Sequence, residues 1–521
     1  MENNQLNSPK NFEGEGQHKD SNFQGNNQIN PDFSDLFNPA TIIDGVKEMK
    51  NESKRATPHT EILQKLLEQF DPLDFEALAN PHGAEGFKLS TKHLLVLSIE
   101  NILSIAEKNR WGLCKNHDFI YLYNGTFWQE IDRETFQKFL GEAAEKMGVT
   151  KFTARFYQFR EQLFKQFLAT AYLPTPENKK DTVLINLQNG TYEISPKRIG
   201  LRPFDHTDFI TYQLPFAYDQ QAKAPIFKAY LNRVLPDIER QKVLAEYLGY
   251  IFIKHGSNLK LETALILYGS GANGKSVFYE VITALLGYNN VSSFSIQELT
   301  DDTGYYRAMI ANKLVNYASE MSGKLQTETF KRMVSGEVLP ARLPYGKPME
   351  LTQYAKLIFN CNELPREVEH TPAFFRRWLI IPFDVTIPED EQDKELHTKI
   401  IENELSGVFN WVLEGLQRLL KQKKFSKCEA AQKALEQYKI ESNSVQMFLN
   451  ENEYQRSPTN YKLIKDLYPE YRTFCSNDGL KPFHKRNFTK QLEALGFVVD
   501  KVSQNKLAVF IETHYNPFLY E

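Results

Sequence analysis

The sequence predicts an α/β fold built around a parallel β-sheet, and the prediction rests on three short apolar runs that end in polar residues. TALILY, residues 263–268, has the pattern of a buried strand, and a glycine-rich loop and a helical pattern follow it directly. Two further strand-like runs are KLVNYASE at 313–320 and AKLIFNCN at 355–362. Strands separated by helical segments favour a parallel sheet, whose carboxyl ends meet at one edge. We therefore expect a ligand site at that edge.

The bulk composition is that of a soluble protein with several domains. The chain has 521 residues, of which 41% are hydrophobic and 25% charged, and its net charge of −4 provides no overall basic field. Four widely separated cysteines without a CxxC pair disfavour a zinc site or a disulfide framework and favour a reducing cytoplasm. The amino terminus lacks the pattern of a signal peptide, and no run of about 18 apolar residues predicts a membrane span. We expect a cytoplasmic protein with no membrane partner.

Changes in pattern along the chain divide it into five segments. Residues 1–58 are rich in Asn, Gln, Gly and charge, which predicts a disordered tail. Mixed helical and strand-like runs predict an α+β domain at 59–235, which serves as a collar, in oligomerisation or in DNA binding. The α/β core is predicted at 236–387, a helical lid or linker at 388–440, and a winged-helix-like domain at 441–521. Within the second segment, HDFIYLYNGTFWQEI predicts a hairpin that turns at Asn124-Gly125.

The loop after the first core strand has the pattern of a phosphate-binding loop, and its eight residues are Gly269, Ser270, Gly271, Ala272, Asn273, Gly274, Lys275 and Ser276. Glycines let backbone N–H groups approach phosphates closely, and the amino terminus of the following helix adds a favourable dipole. Lys275 is expected to reach the β- and γ-phosphates, and the Ser276 hydroxyl to ligate Mg²⁺. The motif thus predicts ATP and Mg²⁺ as cofactors. The alternative is a glycine-rich turn without a ligand.

Polar residues at the ends of the later strands are candidates for the rest of an ATPase site. Glu320 ends the second strand, where a carboxylate would serve Mg²⁺ and the attacking water. Asn362, preferred to Asn360, would sense the γ-phosphate at the tip of the third strand. Arg377, with Arg376 as second choice, would act as an arginine finger on a neighbour's nucleotide. The alternatives are an exposed acid, a turn-capping amide and a solvated basic pair.

With these elements in this order, the chain resembles the superfamily 3 helicases, and in particular the helicase part of the phage, plasmid and poxvirus primase-helicases. The segments that resemble them are GSGANGKS, SE at 319–320, SGE at 335–337, FNCNELP at 359–365, RRWLIIPF at 376–383, Trp128, NLQNGTYEI at 186–194 and LPFAYD at 214–219. The resemblance implies a modified AAA+ core, a homo-hexameric ring and 3′ to 5′ movement on single-stranded DNA. It also implies replication of a phage, plasmid or other mobile element, with a separate primase or other replication proteins as partners. Residues 1–110 show no strand-borne Asp-x-Asp pair, so we expect no priming activity.

Two regions are candidates for contact with DNA. A hairpin is predicted within VLPARLPYGKPMEL at 338–351, and the resemblance implies that it enters the ring's channel. There Lys347 would contact phosphate, Tyr345 would contact a base or sugar, and Arg342 is a weaker candidate. The second region is the predicted C-terminal winged helix, whose helix at 485–495 has three basic residues in its first half, Lys485, Arg486 and Lys490. An ordinary hairpin and a protein-contact module are the alternatives.

Three functions fit these features. The first is a ring-shaped motor that couples ATP hydrolysis to the separation of forked DNA. The second is an ATPase that remodels protein partners, and the third is a DNA-binding replication initiator whose ATP site controls assembly. The hairpin favours the first, whereas a winged helix suits the first and the third. The host element, the origin sequence and the role of residues 59–235 are not specified by the sequence.

Overall fold

The computed structural model describes residues 57–116, 119–171, 179–319, 321, 325–344, 348–365 and 368–513. Residues 1–56 of the predicted tail at 1–58 lie outside the described residues, as do three candidate residues, Glu320, Tyr345 and Lys347.

The amino-terminal part contains helices packed beside a small antiparallel sheet. Its elements are α1 (His59–Leu67), α2 (Phe75–Ala79), α3 (Thr91–Lys108), β1 (Gly112–Asn116), β2 (Phe119–Tyr123), β3 (Trp128–Ile131), α4 (Arg133–Lys146), α5 (Lys151–Arg155) and α6 (Tyr157–Thr170). The predicted hairpin is confirmed, but Tyr123 pairs with Trp128, so four residues connect the strands. The Asn124 side chain accepts hydrogen bonds from the N–H groups of Thr126 (2.9 Å) and Phe127 (3.0 Å), which stabilises this longer turn.

The next elements lead into the core. They are β4 (Val183–Leu187), β5 (Gly190–Ser195), β6 (Arg198–Arg202), α7 (Pro225–Val234), α8 (Ile238–Tyr250), β7 (Ala264–Tyr268), α9 (Lys275–Leu286), β8 (Val291–Ser292), α10 (Ile296–Thr300), α11 (Tyr305–Met309), β9 (Val315–Ala318), α12 (Thr327–Val334), β10 (Leu339–Arg342), β11 (Pro348–Leu351), β12 (Lys356–Cys361), α13 (Pro372–Phe375) and β13 (Trp378–Pro382). Five strands form one parallel sheet in the order β13-β7-β12-β9-β8. The predicted mixed α/β fold with a parallel sheet is confirmed.

A single hydrophobic core joins this sheet to the segment before it and to the long helix after it. The next two helices after β13 are α14 (Leu396–Gln422) and α15 (Glu429–Glu441). Buried side chains from Val183 to Ala431 form one cluster that includes β4, α7, α8, β7, α9 and α14. Buried Glu404 on α14 accepts from the first N–H groups of α7, those of Ile226 (2.9 Å) and Phe227 (2.8 Å). This core crosses the boundaries predicted after residues 235 and 387, and the division into domains stays a prediction.

The carboxyl-terminal part pairs three antiparallel strands with three helices. Its elements are α16 (Ser444–Glu451), β14 (Tyr454–Leu463), α17 (Ile464–Asn477), α18 (Lys485–Ala494), β15 (Val499–Val502) and β16 (Lys506–Thr513). The sheet order is β14-β16-β15. Helix α17 begins only at Ile464, because Tyr461 to Leu463 pair with β16. Among the described helices, none combines the length and apolarity that crossing a membrane requires.

A buried lysine lies at the amino end of strand β12. Lys356 is 8% exposed, its Nζ is 3.1 Å from Nδ1 of His255, and it lies 4.4 Å from the ring centre of Tyr250. Nε2 of His255 donates to the carbonyl of Tyr354 at 3.0 Å, so the neutral ring presents Nδ1 as an acceptor to the ammonium. Burial lowers the pKa of Lys356 to about 7, and burial followed by the Lys356 charge lowers the pKa of His255 to about 3.

Replacing Lys356 with methionine is expected to flatten the rise of stability with pH. The unfolded chain holds the lysine proton up to a pKa near 10.4, whereas the folded chain releases it near 7, so the native protein gains stability as pH rises between these values. Lys356→Met removes this dependence, and its advantage in melting temperature over wild type should be largest near about pH 7 and shrink towards about pH 9. The exposed Lys424→Met is the matched control. An advantage for Lys356→Met that does not vary with pH would contradict this account.

Candidate nucleotide-binding site

The glycine-rich loop begins where β7 ends, and its first glycine fits closely between two strands. The Gly269 N–H donates to the carbonyl of Cys361 on the neighbouring strand at 3.1 Å. A Cβ at Gly269 would lie 2.4 Å from the carbonyl oxygen of Phe383 and 2.6 Å from Nδ2 of Asn273. Gly274, with φ of 86°, is the N-cap of α9, and a Cβ there would lie 2.7 Å from Val234. A side chain has no room at either position, which explains why both residues are glycine.

Side chains from outside the loop hold its shape. Asn273 donates from Nδ2 to the carbonyls of Ser270 at 3.1 Å and Phe383 at 3.3 Å. The hydroxyl of Tyr230 on α7 donates to the Gly274 carbonyl at 2.8 Å. Ala272 has a φ of 55°, and its carbonyl accepts from the N–H of Ile387 at 2.8 Å. The loop is therefore bonded to α7 and to the segment after β13.

Lys275 and Ser276 occupy the first turn of α9. Lys275 is buried, its Nζ donates to the Gly269 carbonyl at 2.5 Å, and burial lowers its pKa. In the part of the chain that the structure describes, no carboxylate forms an ion pair with this ammonium, and the first turn of α9 contains no acid. Ser276 and Ser270 are exposed. A buried cation beside the exposed amino terminus of a helix is suited to binding a phosphate group.

The two asparagines of the third predicted strand have different surroundings. Asn360 is buried, and its Oδ1 accepts from the hydroxyl of Tyr317 at 3.1 Å. Asn362 is exposed and follows directly after β12, whose last residue bonds the Gly269 N–H. The structure therefore brings Asn362 next to the phosphate-binding loop. Strand β9 ends at Ala318, which pairs in register with Phe359, so β9 and β12 end at the same edge of the sheet.

The two candidate arginines differ in exposure. The Arg377 side chain is 9% exposed, donates from Nη2 to Oγ of Ser335 at 2.8 Å and also bonds the Ala373 carbonyl. The Arg376 side chain is 62% exposed and lies 3.0 Å from Oε2 of Glu262. A finger has to reach another subunit, and the exposed Arg376 suits that role better than the buried Arg377, which the sequence favours. The assignment of either arginine as a finger stays a prediction.

Both arginines lie at the opposite edge of the sheet from the phosphate-binding loop. They precede β13, whose first residue, Trp378, pairs with Ala264 at the start of β7, whereas the loop follows the end of β7. Five strand residues separate the two edges, a distance of roughly 15 Å. Arg376 therefore lies far from the phosphate-binding loop of its own chain.

Sequence reasoning missed three residues that support the site. Tyr230 and Glu262 come from segments without a recognisable motif, and only their contacts reveal them. Ser335 belongs to SGE at 335–337, one of the segments that resemble the superfamily 3 helicases. Its bond to Arg377 gives that segment a structural role. The positive φ of Glu262, 51°, is a signal visible only in the structure.

The candidate DNA contacts lie on exposed elements. Strands β10 and β11 form the predicted antiparallel hairpin. Arg342 near its tip donates to the hydroxyl of Tyr305 at 3.0 Å and lies 5.1 Å from the centre of that ring. Lys485, Arg486 and Lys490 are exposed on α18.

Comparisons with known proteins match two parts of the chain. Residues 105–236 match a family described as D5 N terminal like, and residues 267–377 match a family of unknown function, DUF5906. "Putative helicase L207/L206" of Acanthamoeba polyphaga mimivirus is 26% identical over 238 residues, which are 43% of this chain and 24% of that protein. "Putative helicase 121R" of Invertebrate iridescent virus 3 is 24% identical over 242 residues, 41% of this chain and 25% of that protein. These matches confirm the resemblance to phage and viral primase-helicases. The chain spans about a quarter of the length of these curated relatives.

Among solved structures, the chain is similar to the C-terminal region of NrS-1 in its apo form. The identity is 13%, the TM-score is 0.45, and the match covers 80% of this chain and 98% of that one. A second form of the same region gives a TM-score of 0.46 at 13% identity, with 79% and 98% coverage. TM-scores below 0.5 do not establish a shared fold.

Gly269→Ala is expected to destabilise the protein, because its new Cβ would lie 2.4 Å from a backbone oxygen that cannot move freely. Overpacking of this kind costs about 1–3 kcal/mol, and we expect a lower melting temperature and weaker binding of a fluorescent ATP analogue. Gly271→Ala is the matched control for stability, because a Cβ there meets nothing within 4 Å. Equal melting temperatures for the two variants would contradict this reading of the loop.

Proposed function

We propose that the protein is an ATP-dependent DNA helicase of the superfamily 3 type, which works as a homo-hexameric ring. Its core would be a modified AAA+ domain, and it would translocate 3′ to 5′ on single-stranded DNA in the replication of a phage, plasmid or other mobile element. The matched viral relatives, which are named as helicases, support the proposal.

One observation supports a ring above all. The phosphate-binding loop and Asn362 share the carboxyl edge of the sheet, whereas exposed Arg376 lies at the amino edge. A single chain therefore has two half-sites that face different directions. Each half-site is completed if the amino edge of one subunit meets the carboxyl edge of the next.

Each residue in the proposed site has a physical role. Backbone N–H groups at the start of α9 and the Lys275 ammonium bind the phosphates of ATP, and the buried position of Lys275 strengthens this attraction. Ser276 and Glu320 would hold Mg²⁺, which when bound neutralises charge on the β- and γ-phosphates. Asn362 orients the γ-phosphate or the attacking water. Arg376 of the adjacent subunit stabilises the charge that develops in the transition state.

The hairpin of β10 and β11 is the proposed contact with the translocating strand, with Lys347 on phosphate and Tyr345 on a base or sugar. The carboxyl-terminal unit of α16 to α18 and its three-stranded sheet is proposed to be a winged helix. Three exposed basic residues on α18 would then contact duplex DNA. These exposed residues also favour the second candidate function, an ATP-regulated initiator that binds DNA without separating it.

Mixing two inactive variants tests the shared site. Lys275→Ala is expected to abolish ATP hydrolysis and unwinding, because the phosphates lose their buried cation. Arg376→Ala should also reduce hydrolysis, by about 10³-fold or more if Arg376 acts as a finger. A mixture of the two variants should regain hydrolysis, since some interfaces then pair an intact loop with an intact arginine.

The mixture has two controls. Lys275→Ala mixed with the double variant Lys275→Ala/Arg376→Ala should stay inactive, and each variant should assemble as wild type does. If Arg376→Ala alone hydrolyses ATP normally, or if the mixture stays inactive while mixed rings form, the shared site is refuted.

Unwinding of a forked duplex by the purified protein distinguishes the motor from the initiator. Lys347→Ala is expected to remove the stimulation of ATP hydrolysis by single-stranded DNA, so that the ratio of rates with and without DNA falls towards one. Lys424→Ala, an exposed lysine between α14 and α15, should keep the wild-type ratio. Wild-type hexamers that hydrolyse ATP but never separate the fork would rule out the motor. A remodeller of protein partners would keep its activity in the Lys347 variant.

A further inference from the structure

We propose that three aromatic residues on the amino-terminal helices form a second binding surface for single-stranded DNA, apart from the proposed channel hairpin. We call Phe152, Phe156 and Tyr157 the aromatic patch. The inference rests on the proposed function, since the ligand is the same strand. It adds a role for the segment at 105–236 that matches the D5 N terminal like family.

The rings of the patch point away from the hydrophobic core. Phe152 is 90% exposed, more than any other large hydrophobic residue that the structure describes, and Tyr157 and Phe156 are 66% and 49% exposed. The Phe156 and Tyr157 rings are 5.0 Å apart at 64°. Buried Ala154 and Phe159 alternate with them and anchor the segment to the core.

The Phe156 and Tyr157 rings lie at a break between two helices, and Phe152 lies about one turn earlier on α5. Phe156 has extended backbone angles, φ of −69° and ψ of 131°, so α5 ends at Arg155 and α6 begins at Tyr157. Neither glycine nor proline occurs at this break. Burying one such side chain would contribute about 1.5–3 kcal/mol to folding, and this chain leaves three of them in water. Folding alone does not explain that arrangement.

The charge around the patch is complementary to phosphate. The stretch from 145 to 161 contains four basic and two acidic residues, so it is locally positive although the whole chain has a net charge of −4. Glu145 on helix α4 pairs with Arg155 through two bonds of 2.8 and 3.1 Å, so the local positive charge comes from the other three basic residues. Lys146 and Lys151 are exposed. Both therefore offer an ammonium group to a passing DNA backbone.

The chemistry of the patch favours a nucleic acid over a protein surface. Its exposed apolar members are all aromatic, and the neighbouring Val149 is buried. Flat rings interleaved with cations are what a flexible strand of bases and phosphates needs, because every base can stack on a ring without regard to sequence. Two copies of this chain that met patch to patch would bring like charges together.

Fluorescence of the full-length variant Phe152→Trp tests for direct stacking. The new indole would be exposed, whereas three of the four natural tryptophans are buried. We expect an unlabelled oligothymidylate to quench the fluorescence of the introduced tryptophan, and we expect added salt to reverse the quenching. Tyr288→Trp, at a position with the same 66% exposure as Tyr157, is the control and should show no quenching.

Replacement by leucine separates stacking from general apolar contact. Phe152→Leu/Tyr157→Leu keeps the apolar character but removes the flat faces, and should weaken binding of a fluorescent oligothymidylate by about 10-fold or more. Tyr288→Leu should bind as wild type does. Melting temperatures of both variants should match wild type, because all of these side chains are exposed.

Several outcomes overturn the inference. The first is that the oligonucleotide binds the wild type and the leucine variant with equal affinity and stimulates ATP hydrolysis by both. The patch is then not a DNA surface, while the proposed function stands. If the leucine variant loses its oligomeric state together with its affinity, the patch is a subunit contact. If the wild type binds no single-stranded DNA at all, the inference and the proposed function both fail.

Discussion

The parallel register of β7, β12 and β13 is the constraint on which the proposed site depends. Because these strands run in the same direction, residues that follow them meet at one edge and residues that precede them meet at the other. The bond from the Gly269 N–H to the Cys361 carbonyl joins the phosphate-binding loop to the strand before Asn362. The same register places Arg376 at the far edge. The proposal of a site shared between two subunits thus rests on strand direction rather than on any special feature of the loop.

The phosphate-binding loop depends on distant parts of the chain for its shape. Tyr230 on α7 bonds the Gly274 carbonyl, and the first N–H groups of α7 are in turn capped by Glu404 on α14. A chain of buried polar contacts therefore runs from α14 through α7 to the start of α9. Polar groups without water around them need such partners, and each bond restricts the orientation of the next. These partly buried supports hold the loop in its observed shape.

The features predicted from sequence are those written in local patterns. Apolar runs of four to six residues identified β7, β9 and β12, and the glycines marked the loop between β7 and α9. Strand β14 was missed, because its burial alternates weakly and its pairing with β16 spans some fifty residues of sequence. Arg376 and Arg377 look alike in the sequence, and only packing against Ser335 makes one of them buried. The β2–β3 hairpin was expected to turn in two residues, at Asn124-Gly125, but its turn has four. The longer turn depends on a hydrogen bond from the Phe127 N–H to the Asn124 side chain, which the sequence pattern does not reveal.

The core shared between Val183 and Ala431 limits where this chain could be cut and joined to another. A gene fusion that joined a foreign ATPase at residue 236 would separate α7 from the loop it supports and leave apolar faces of β4 and α14 without partners. Exchange of a segment is tolerated where few contacts cross the junction, and the interval between Ala171 and Val183 does not meet this condition. Nε1 of Trp128 in the amino-terminal part donates to the carbonyl of His206 at 2.9 Å. The strands β4 to β6 are therefore bonded to the segments on both sides of them, in agreement with the family match over 105–236.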